Sequence, residues 1–285
     1  MTIIQTSTLS SEQKRAVKSL QKVCFSFEKL ENEPMLSSSL NFNPTIPCFF
    51  LLYEQKKLIG FLSTFFPSRE EVEVNAFVHP QHRGKGGFSL LVEEARNLYK
   101  PLPFSQMLFQ VEPASKSGTS YLAKHYPLID RTEFRLTLSK NHWQEKRPST
   151  TMAGRLIEVG AEHLDLYNKT ATELLNEPMD FVGQLLNAPT RKAYLYYSEE
   201  KPIGILQKCE EENGLTMLYA IAIEENHRGK GHGKAMLVLA LEKFFDTVEE
   251  ISLEVDSQNP RAFNLYTSLG FEIAFRVDYH RLILP

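Results

Sequence analysis

The pentapeptide His-Arg-Gly-Lys-Gly occurs twice in the chain, at residues 82–86 and again at residues 227–231. Each copy follows a run in which apolar and polar residues alternate, and each precedes apolar residues at helical spacing. A strand that ends in a basic, glycine-rich loop and opens a helix directs free backbone N–H groups and the positive end of the helix dipole at one point. Phosphate groups bind at such points. The repeat therefore predicts two domains, each built around an anion-binding turn.

The two halves of the chain repeat one order of elements: a helix, three strands, the basic loop, a second helix and a further strand. In the first half these elements are expected at residues 10–28, 48–53, 58–66, 70–78, 88–99 and 106–111. In the second half they are expected at 161–176, 192–197, 203–208, 215–223, 233–245 and 251–255, with a short helix at 260–269. The order predicts an α/β (α+β) fold, and 285 residues fit two domains of roughly 100–200 residues each.

A polar segment without apolar periodicity lies between the halves. Residues 144–152 contain Pro148 and are rich in charged and hydroxyl side chains, as linkers are. We therefore expect an N-terminal domain at 1–143, a linker at 144–152 and a C-terminal domain at 153–285.

Charge and composition argue against several classes of partner. A net charge of −3 gives no general attraction to polyanions, and no basic patch stands out, so no nucleic-acid partner is expected. The first residues lack the basic and apolar regions of a secretion signal, and no run approaches ~18 apolar residues, so we expect a cytoplasmic protein without a membrane partner. Three widely spaced cysteines indicate neither a disulfide framework nor a zinc site. His227 and His232 flank the second loop without a third ligand, so no metal is expected.

Two common phosphate-binding loops do not fit the second copy. It lacks the G-x-x-x-x-G-K-[ST] pattern of a Walker loop, and its glycines do not have the spacing of the dinucleotide-binding G-x-G-x-x-G. The pattern that remains is R-x-x-G-x-G, formed by Arg228, Gly231 and Gly233. This pattern alone is weak, and its surroundings give it meaning.

Those surroundings resemble the GCN5-related N-acetyltransferase (GNAT) superfamily. After the loop and its helix come a Leu-Glu-Val strand at 253–255 and then Asn259, Ala262 and Tyr266 in the pattern N-x-x-A-x-x-L-Y-x-x-L-G-F. The resemblance covers the second half of the chain, and the first half resembles a second, degenerate copy. Mycothiol synthase is a member with such a tandem arrangement.

The resemblance implies two tandem GNAT domains, each with a mixed, mostly antiparallel sheet whose fourth and fifth strands splay apart between flanking helices. It also implies acetyl-CoA as co-substrate, with the pantetheine arm between the splayed strands and the pyrophosphate on the loop. The residues that it assigns to acetyl-CoA binding are Ile221, Ala222, Ile223, Arg228, Gly229, Lys230, Gly231, His232, Gly233, Lys234, Asn259, Ala262, Phe263 and Tyr266.

Acetyl transfer to an amine benefits from a base and an acid. An alkyl ammonium group with a pKa of ~10.4 is not a nucleophile, and the departing thiolate benefits from a proton. The resemblance places Tyr266 as the acid that protonates the sulfur and Glu254 as the base. Tyr266 packing on the adenylate or core, and Glu254 pairing with a cation, are the structural alternatives; a water relayed by Tyr219 or a backbone carbonyl is the competing base.

The first half departs from the family pattern where the chemistry would occur. Phe88 replaces a small residue after the loop, Gln110 stands in place of Glu254, and Leu122 stands in place of Tyr266. Tyr121 lies one position early, which turns it by ~100° on a helix. Glu71 and Glu73 are alternative bases. A CoA site, a scaffold and one wall of the acceptor groove remain open as roles for this domain.

The combined prediction is an N-acetyltransferase that moves acetyl from acetyl-CoA to an amine by direct attack in a ternary complex, with a small-molecule acceptor. Two alternatives stay open. One is a protein or peptide N-acetyltransferase, with an acceptor groove lined by Met179, Asp180 and Phe181. The other is a non-catalytic acyl-CoA sensor. The sequence specifies neither the acceptor, nor the acyl-chain length, nor the oligomeric state.

Overall fold

The computed structural model describes residues 1–39, 41–148, 152–175, 190–210 and 215–284. These residues form two compact units. Unit 1 comprises Met1–Thr132 and Phe275–Pro285, and unit 2 comprises Glu133–Ala274. Each unit combines a mixed sheet with flanking helices, which confirms the predicted α/β (α+β) class.

The first helix of unit 1 begins where the local sequence predicts. Ser10 and Gln13 form the capping box that their spacing predicts, and the buried stripe of Val17, Leu20 and Cys24 faces the sheet. The elements of the unit are β1 (Thr2–Thr6), α1 (Ser11–Glu28), β2 (Phe49–Glu54), β3 (Lys57–Phe65), β4 (Glu71–Val78), α2 (Gly87–Tyr99), β5 (Gln106–Val111) and α3 (Lys116–His125). Strands β1 to β4 are antiparallel neighbours in chain order, and β5 then pairs with β4 in parallel.

Unit 2 repeats this order. Its elements follow β6 (Ile129–Ser139) and are α4 (Lys140–Lys146), β7 (Arg155–Glu158), α5 (Leu164–Leu175), β8 (Arg191–Ser198), β9 (Lys201–Glu210), β10 (Thr216–Ile223), α6 (His232–Phe244), β11 (Glu250–Asp256), α7 (Pro260–Ser268) and β12 (Glu272–Ile283). Strands β7 to β10 are antiparallel, and β11 joins β10 in parallel.

The two faces of the unit 2 sheet carry different helices. Helix α6 packs on one face, where Tyr194, Leu206, Leu218 and Leu253 are buried. Helix α5 packs on the other, through Tyr167 and its neighbours. Because side chains alternate along a strand, each residue of β8 to β10 can be assigned to the α5 face or to the α6 face.

The last strand of each half of the sequence pairs within the sheet of the other half. From Glu133 to Ser139, β6 pairs with β11 inside unit 2, and from Asp278 to Ile283, β12 pairs with β5 inside unit 1. The contacts therefore group residues 133–143 with unit 2 and residues 275–285 with unit 1. The contiguous limits 1–143 and 153–285 remain a prediction about the chain's domains, and part of the expected linker forms α4, whose Trp143 stacks on Phe245.

No helix among the described residues combines the length and apolar character that a membrane-spanning helix needs.

Candidate active site

A gap opens between β10 and β11 in unit 2. The two strands pair in parallel only from Thr216 to Leu218. The pairing of β10 with β9 then shifts between Tyr219 and Ala222, and Ala220 adopts a φ of 48°. A non-glycine residue in this region is strained, and such strain persists where the surrounding structure fixes it. The bulge ends the pairing with β11, so the splayed fourth and fifth strands that the resemblance implied are present.

The gap holds a cavity of about 260 Å³. Its walls come from the bulge of β10, from the end of β11 and from the first turns of α7. Among the predicted site residues, Ile221, Glu254, Asn259, Ala262 and Tyr266 lie together on this cavity. Side chains 45 residues apart in sequence thus meet at one point.

The basic loop follows β10 directly. Gly229 and Gly231 have φ values of 77° and 96°, which side chains with a Cβ rarely adopt, and Gly231 is the N-cap of α6. Arg228 braces the turn by donating its Nε–H to the carbonyl oxygen of Ile223 over 2.8 Å. The first backbone N–H groups of α6 therefore face outward at a positively charged helix start, as an anion site requires.

The same turn recurs in unit 1. Gly84 and Gly86 have φ values of 75° and 80°, and Arg83 donates its Nε–H to the carbonyl oxygen of Val78 over 3.0 Å. The two copies of the pentapeptide thus have one backbone geometry. The sequence repeat correctly indicated a structural repeat.

The two loops differ in the charged groups around their arginines. In unit 1 the guanidinium of Arg83 forms an ion pair with Glu28 over 2.8 Å, and the Glu28 side chain is only 9% exposed. In unit 2 no described carboxylate pairs with Arg228, and a second cation approaches instead: Nη2 of Arg261 lies 3.5 Å from where a Cβ on Gly229 would be. Among the described residues, a carboxylate thus neutralises the arginine of the first loop and none neutralises the arginine of the second. Sequence reasoning missed Arg261, although this basic residue lies within the N-x-x-A pattern at the start of α7.

Other predicted acetyl-CoA residues divide between backbone and side-chain roles. Beyond Leu218, the β11-facing edge of β10 at residues 221–223 carries no described ladder partner, so its backbone groups are free for an extended arm. Asn259 caps α7 by accepting the N–H of Ala262 over 3.1 Å, and Phe263 packs edge-on against Phe134. Lys230 is exposed at the loop tip, and Lys234 is partly exposed one turn into α6.

His232 faces the core instead of the loop's outer side. Its ring is 5% exposed, with Nδ1 3.4 Å from the Tyr196 hydroxyl oxygen. Burial, followed by the charges of His227 and Lys230, lowers the pKa of His232, so the ring is neutral near pH 7. What this residue offers an anion is its backbone N–H.

Tyr266 is the buried hydroxyl of the cavity. It lies on α7 with 6% of its surface exposed, and its ring meets Phe271 edge-on with 6.1 Å between centroids. Burial raises the pKa of Tyr266 to about 12. The phenol therefore stays protonated throughout the neutral range and is a hydrogen-bond donor.

Glu254 was expected either to act as the base or to pair with a cation, and it forms an ion pair. Its Oε1 accepts from Nη2 and Nε of Arg135, at 2.7 and 3.1 Å. About a third of the Glu254 side chain is exposed, and the residue still lines the cavity. The ion pair orients the carboxylate and does not remove it from the cavity.

Unit 1 also holds a cavity, of about 330 Å³, where β4 and β5 diverge. Gln110 and Leu122 line it in place of a carboxylate and a tyrosine. The Tyr121 hydroxyl hydrogen-bonds with Oγ of Ser89, 2.9 Å away, and its ring meets Phe88 edge-on. Glu71 and Glu73, the alternative bases, both pair with Arg131. Glu112 and Tyr121 also line this cavity, and both are already hydrogen-bonded, because the Glu112 carboxylate accepts the backbone N–H groups of Glu31 and Asn32.

Two further expectations concern residues or ions beyond this site. The groove residues Met179, Asp180 and Phe181 lie outside the described residues. Within the described ranges, no group of three metal-ligating side chains occurs, and His227 pairs with Glu224, with Nδ1 and Oε2 3.0 Å apart.

A family model matches the second half of the chain. Residues 161–271 match the model of the acetyltransferase (GNAT) family. A mycothiol acetyltransferase from Kineococcus radiotolerans is 38% identical over 77 residues, which is 26% of this chain and 25% of the relative, so the match spans about a quarter of that protein's length.

Solved structures resemble the whole chain. A GCN5-related N-acetyltransferase from Sphaerobacter thermophilus superposes with a TM-score of 0.74 at 15% identity, covering 99% of this chain and 96% of the other. A tandem GNAT protein from the clavulanic acid biosynthesis pathway, solved without AcCoA, gives 0.71 at 16% identity, covering 100% and 98%. Residues 161–271 thus match the acetyltransferase (GNAT) family, and the chain as a whole has the fold of these tandem GNAT structures.

Proposed function

We propose that unit 2 transfers the acetyl group of acetyl-CoA to the amine of a small molecule by direct attack in a ternary complex. The observation that carries this proposal is the cavity between β10 and β11, which brings Tyr266 and Glu254 together beside a loop whose arginine no described carboxylate neutralises. The loop that would bind the donor, the Tyr266 hydroxyl and the Glu254 carboxylate then lie around one gap.

The donor would bind along the open edge of β10. The backbone groups of residues 221–223 would pair with the pantetheine amides as an added strand does, and the loop would hold the pyrophosphate through its N–H groups, Arg228 and Lys230. Arg261 lies over the same loop and supplies a further cation. This arrangement places the thioester at the bulge, next to Tyr219 and Tyr266.

In the reaction, the amine nitrogen attacks the thioester carbonyl, the C–S bond breaks, and the thiolate leaves. The pKa of about 12 for Tyr266 lies above the ~8.5 of a thiol, so complete proton transfer from the phenol to the sulfur is unfavourable by roughly 5 kcal/mol. The ammonium formed by attack is the stronger acid. Tyr266 therefore keeps its proton and acts as a hydrogen-bond donor that stabilises the leaving thiolate. The proton that the attacking nitrogen loses goes to Glu254, and the departing thiolate takes a proton from solvent, which balances the reaction.

Glu254 is the proposed base, and its substitution tests that role. We expect Glu254→Gln to lower kcat/KM about tenfold at pH 7. The deficit should shrink as the pH rises toward the pKa of the acceptor amine, because the free amine then needs no base. Initial rates of thiol release from pH 6 to 10 measure this.

Glu250 provides the matched control, since it is an exposed carboxylate on the same strand. The Glu250→Gln variant should keep the parent's pH profile. A Glu254→Gln enzyme with parental rates at every pH would assign the proton to solvent, by way of Tyr219 or a backbone carbonyl.

Unit 1 supports a second candidate function, because its cavity is large enough for the arm of a second acyl-CoA. Calorimetric titration of acetyl-CoA into the intact protein, followed by a thiol-release assay with an amine panel, separates the possibilities. We expect one site and thiol release that depends on amine. Two sites would assign a ligand to unit 1, binding without thiol release would indicate an acyl-CoA sensor, and turnover with peptides alone would indicate a protein N-acetyltransferase. No binding would contradict the proposal.

A further inference from the structure

We propose that the acceptor carries a carboxylate in addition to its amine, and that Arg191 binds this carboxylate; the inference rests on the proposed acetyl transfer by unit 2. Arg191 is the first residue of β8 and is only partly exposed. It is not among the residues that the family pattern assigns to acetyl-CoA.

The strand register places Arg191 on the acceptor side of the cavity. Arg191 lies across from Cys209, which lies across from Met217, a residue of the cavity wall. Two positions along, Gln207 lies across from Tyr219, another wall residue. The side chains at these five positions project to the α5 face of the sheet, because Gln207 donates a hydrogen bond to the Tyr167 hydroxyl of α5. Glu254 projects to the same face, because its neighbour Leu253 is buried on the α6 side.

Arg191 has no counter-ion within the described part of the chain. Its neighbour Lys192, on the opposite face, pairs with Glu158 over 2.8 Å, and Arg155 on the adjacent strand pairs with Glu200. A partly buried guanidinium loses hydration that an ion pair would normally offset. Its planar donor fork matches a carboxylate, so an anionic ligand fits this position better than a neutral one.

A second polar group on this face also lacks a partner. The Tyr219 hydroxyl oxygen is buried, and no described atom hydrogen-bonds to it. Buried polar groups in native structures are nearly always paired, so an orphan at the rim of a cavity indicates a ligand group. Burial raises the pKa of Tyr219, while the charge of Arg191 acts in the opposite direction, which places the two side chains within electrostatic reach of each other.

Together these groups define the charge pattern of the acceptor. Its ammonium approaches Glu254 and Tyr219 at the bulge, and its carboxylate approaches Arg191. Arg191 and Met217 are separated by two strand spacings, about 10 Å between Cα atoms. An arginine side chain is long enough to cover part of that distance, so the proposed acceptor is of amino-acid size, with amine and carboxylate a few bonds apart.

Matched acceptors test this inference. The panel contains glycine, β-alanine and 4-aminobutyrate, each beside its own amide, which keeps the amine and removes the negative charge. We expect the parent to prefer the best acid over its amide at least tenfold in kcat/KM. Arg191→Gln should lower kcat/KM for that acid by roughly tenfold to thirtyfold, the worth of a charged hydrogen bond, and leave the amide unchanged. Arg191→Lys should recover part of the loss.

Lys192→Gln is the control, because it removes the neighbouring cation from the other face and should change neither ratio. Unchanged acetyl-CoA binding by Arg191→Gln verifies that the variant is folded. Equal use of acids and amides by the parent, or an equal loss for both in Arg191→Gln, would overturn the carboxylate inference while leaving acetyl transfer intact. Acetyl-CoA binding without turnover of any panel member or other amine would overturn the proposed function and this inference with it.

Discussion

A Tyr266→Phe variant is expected to lose about 100-fold in kcat for amine acetylation, while its dissociation constant for acetyl-CoA stays within about twofold of the parent. Phenylalanine keeps the ring that packs on Phe271 and removes only the buried hydroxyl. The loss therefore reports on the hydrogen bond to the leaving sulfur, which forms as charge develops in the transition state. Single-turnover rates and calorimetric affinities measure the two quantities separately.

Tyr194→Phe is the matched control for this experiment. Tyr194 is also a buried phenol of unit 2, but its hydroxyl donates to Glu158, away from the cavity. Its removal should leave kcat nearly unchanged. An unchanged kcat for Tyr266→Phe would remove this hydroxyl from the mechanism and leave Tyr266 a packing residue.

The pH dependence of the parent follows from the same burial. The pKa of Tyr266 is raised to about 12, so its proton-donating form is fully present at neutral pH and is lost only as the pH rises through that value. Between pH 6 and 10, Tyr266 should therefore contribute no fall in kcat. A fall in kcat between pH 6 and 10 would therefore reflect the ionisation of another group.

The second large effect is expected at the loop. Arg228→Glu should raise the dissociation constant of acetyl-CoA about 100-fold, because it places a negative charge beside the pyrophosphate. At ~6 Å and an effective dielectric constant of ~20, one added charge costs roughly 2–3 kcal/mol. The effect should weaken as ionic strength rises, since salt screens exposed charges. Calorimetric titration at two salt concentrations measures both.

A pair of exposed lysines makes this test specific to one unit. Arg228 also braces the turn through Ile223, so a second variant, Lys230→Glu, changes the charge without touching that hydrogen bond. Lys85 occupies the equivalent place in the first pentapeptide and is also exposed. Lys230→Glu should weaken binding and Lys85→Glu should not. The reverse result would move the acetyl-CoA site to unit 1.

Features of local origin could be predicted from the sequence. The capping box at Ser10, the glycine-bearing turns and the helix after each loop depend on residues within a few positions of one another. The gap between the splayed strands came from the family resemblance, because nothing in the residues around Ala220 indicates a positive φ. Periodicity reports which residues are buried, and it does not report where a strand stops pairing.

Contacts between distant residues could not be predicted. The Glu28–Arg83 pair that neutralises the first loop joins the end of α1 to a turn three strands later, and the Arg135–Glu254 pair spans 119 positions. Opposite charges are common on a protein surface, and a single sequence does not show which of them meet. Two identical pentapeptides thus differ in charge environment for reasons that lie outside them.

The pairing of β12 with β5 has a consequence for the order in which the protein is made. Residues 133–274 are contiguous, so unit 2 can close as soon as Ala274 has left the ribosome. The β12 partner of β5 is synthesised long after β5, and at ~5–20 residues per second it emerges roughly 10–30 s later. During that interval the β5 edge lacks its native partner and is open to wrong pairing. The unit that is translated first is therefore the unit that is completed last.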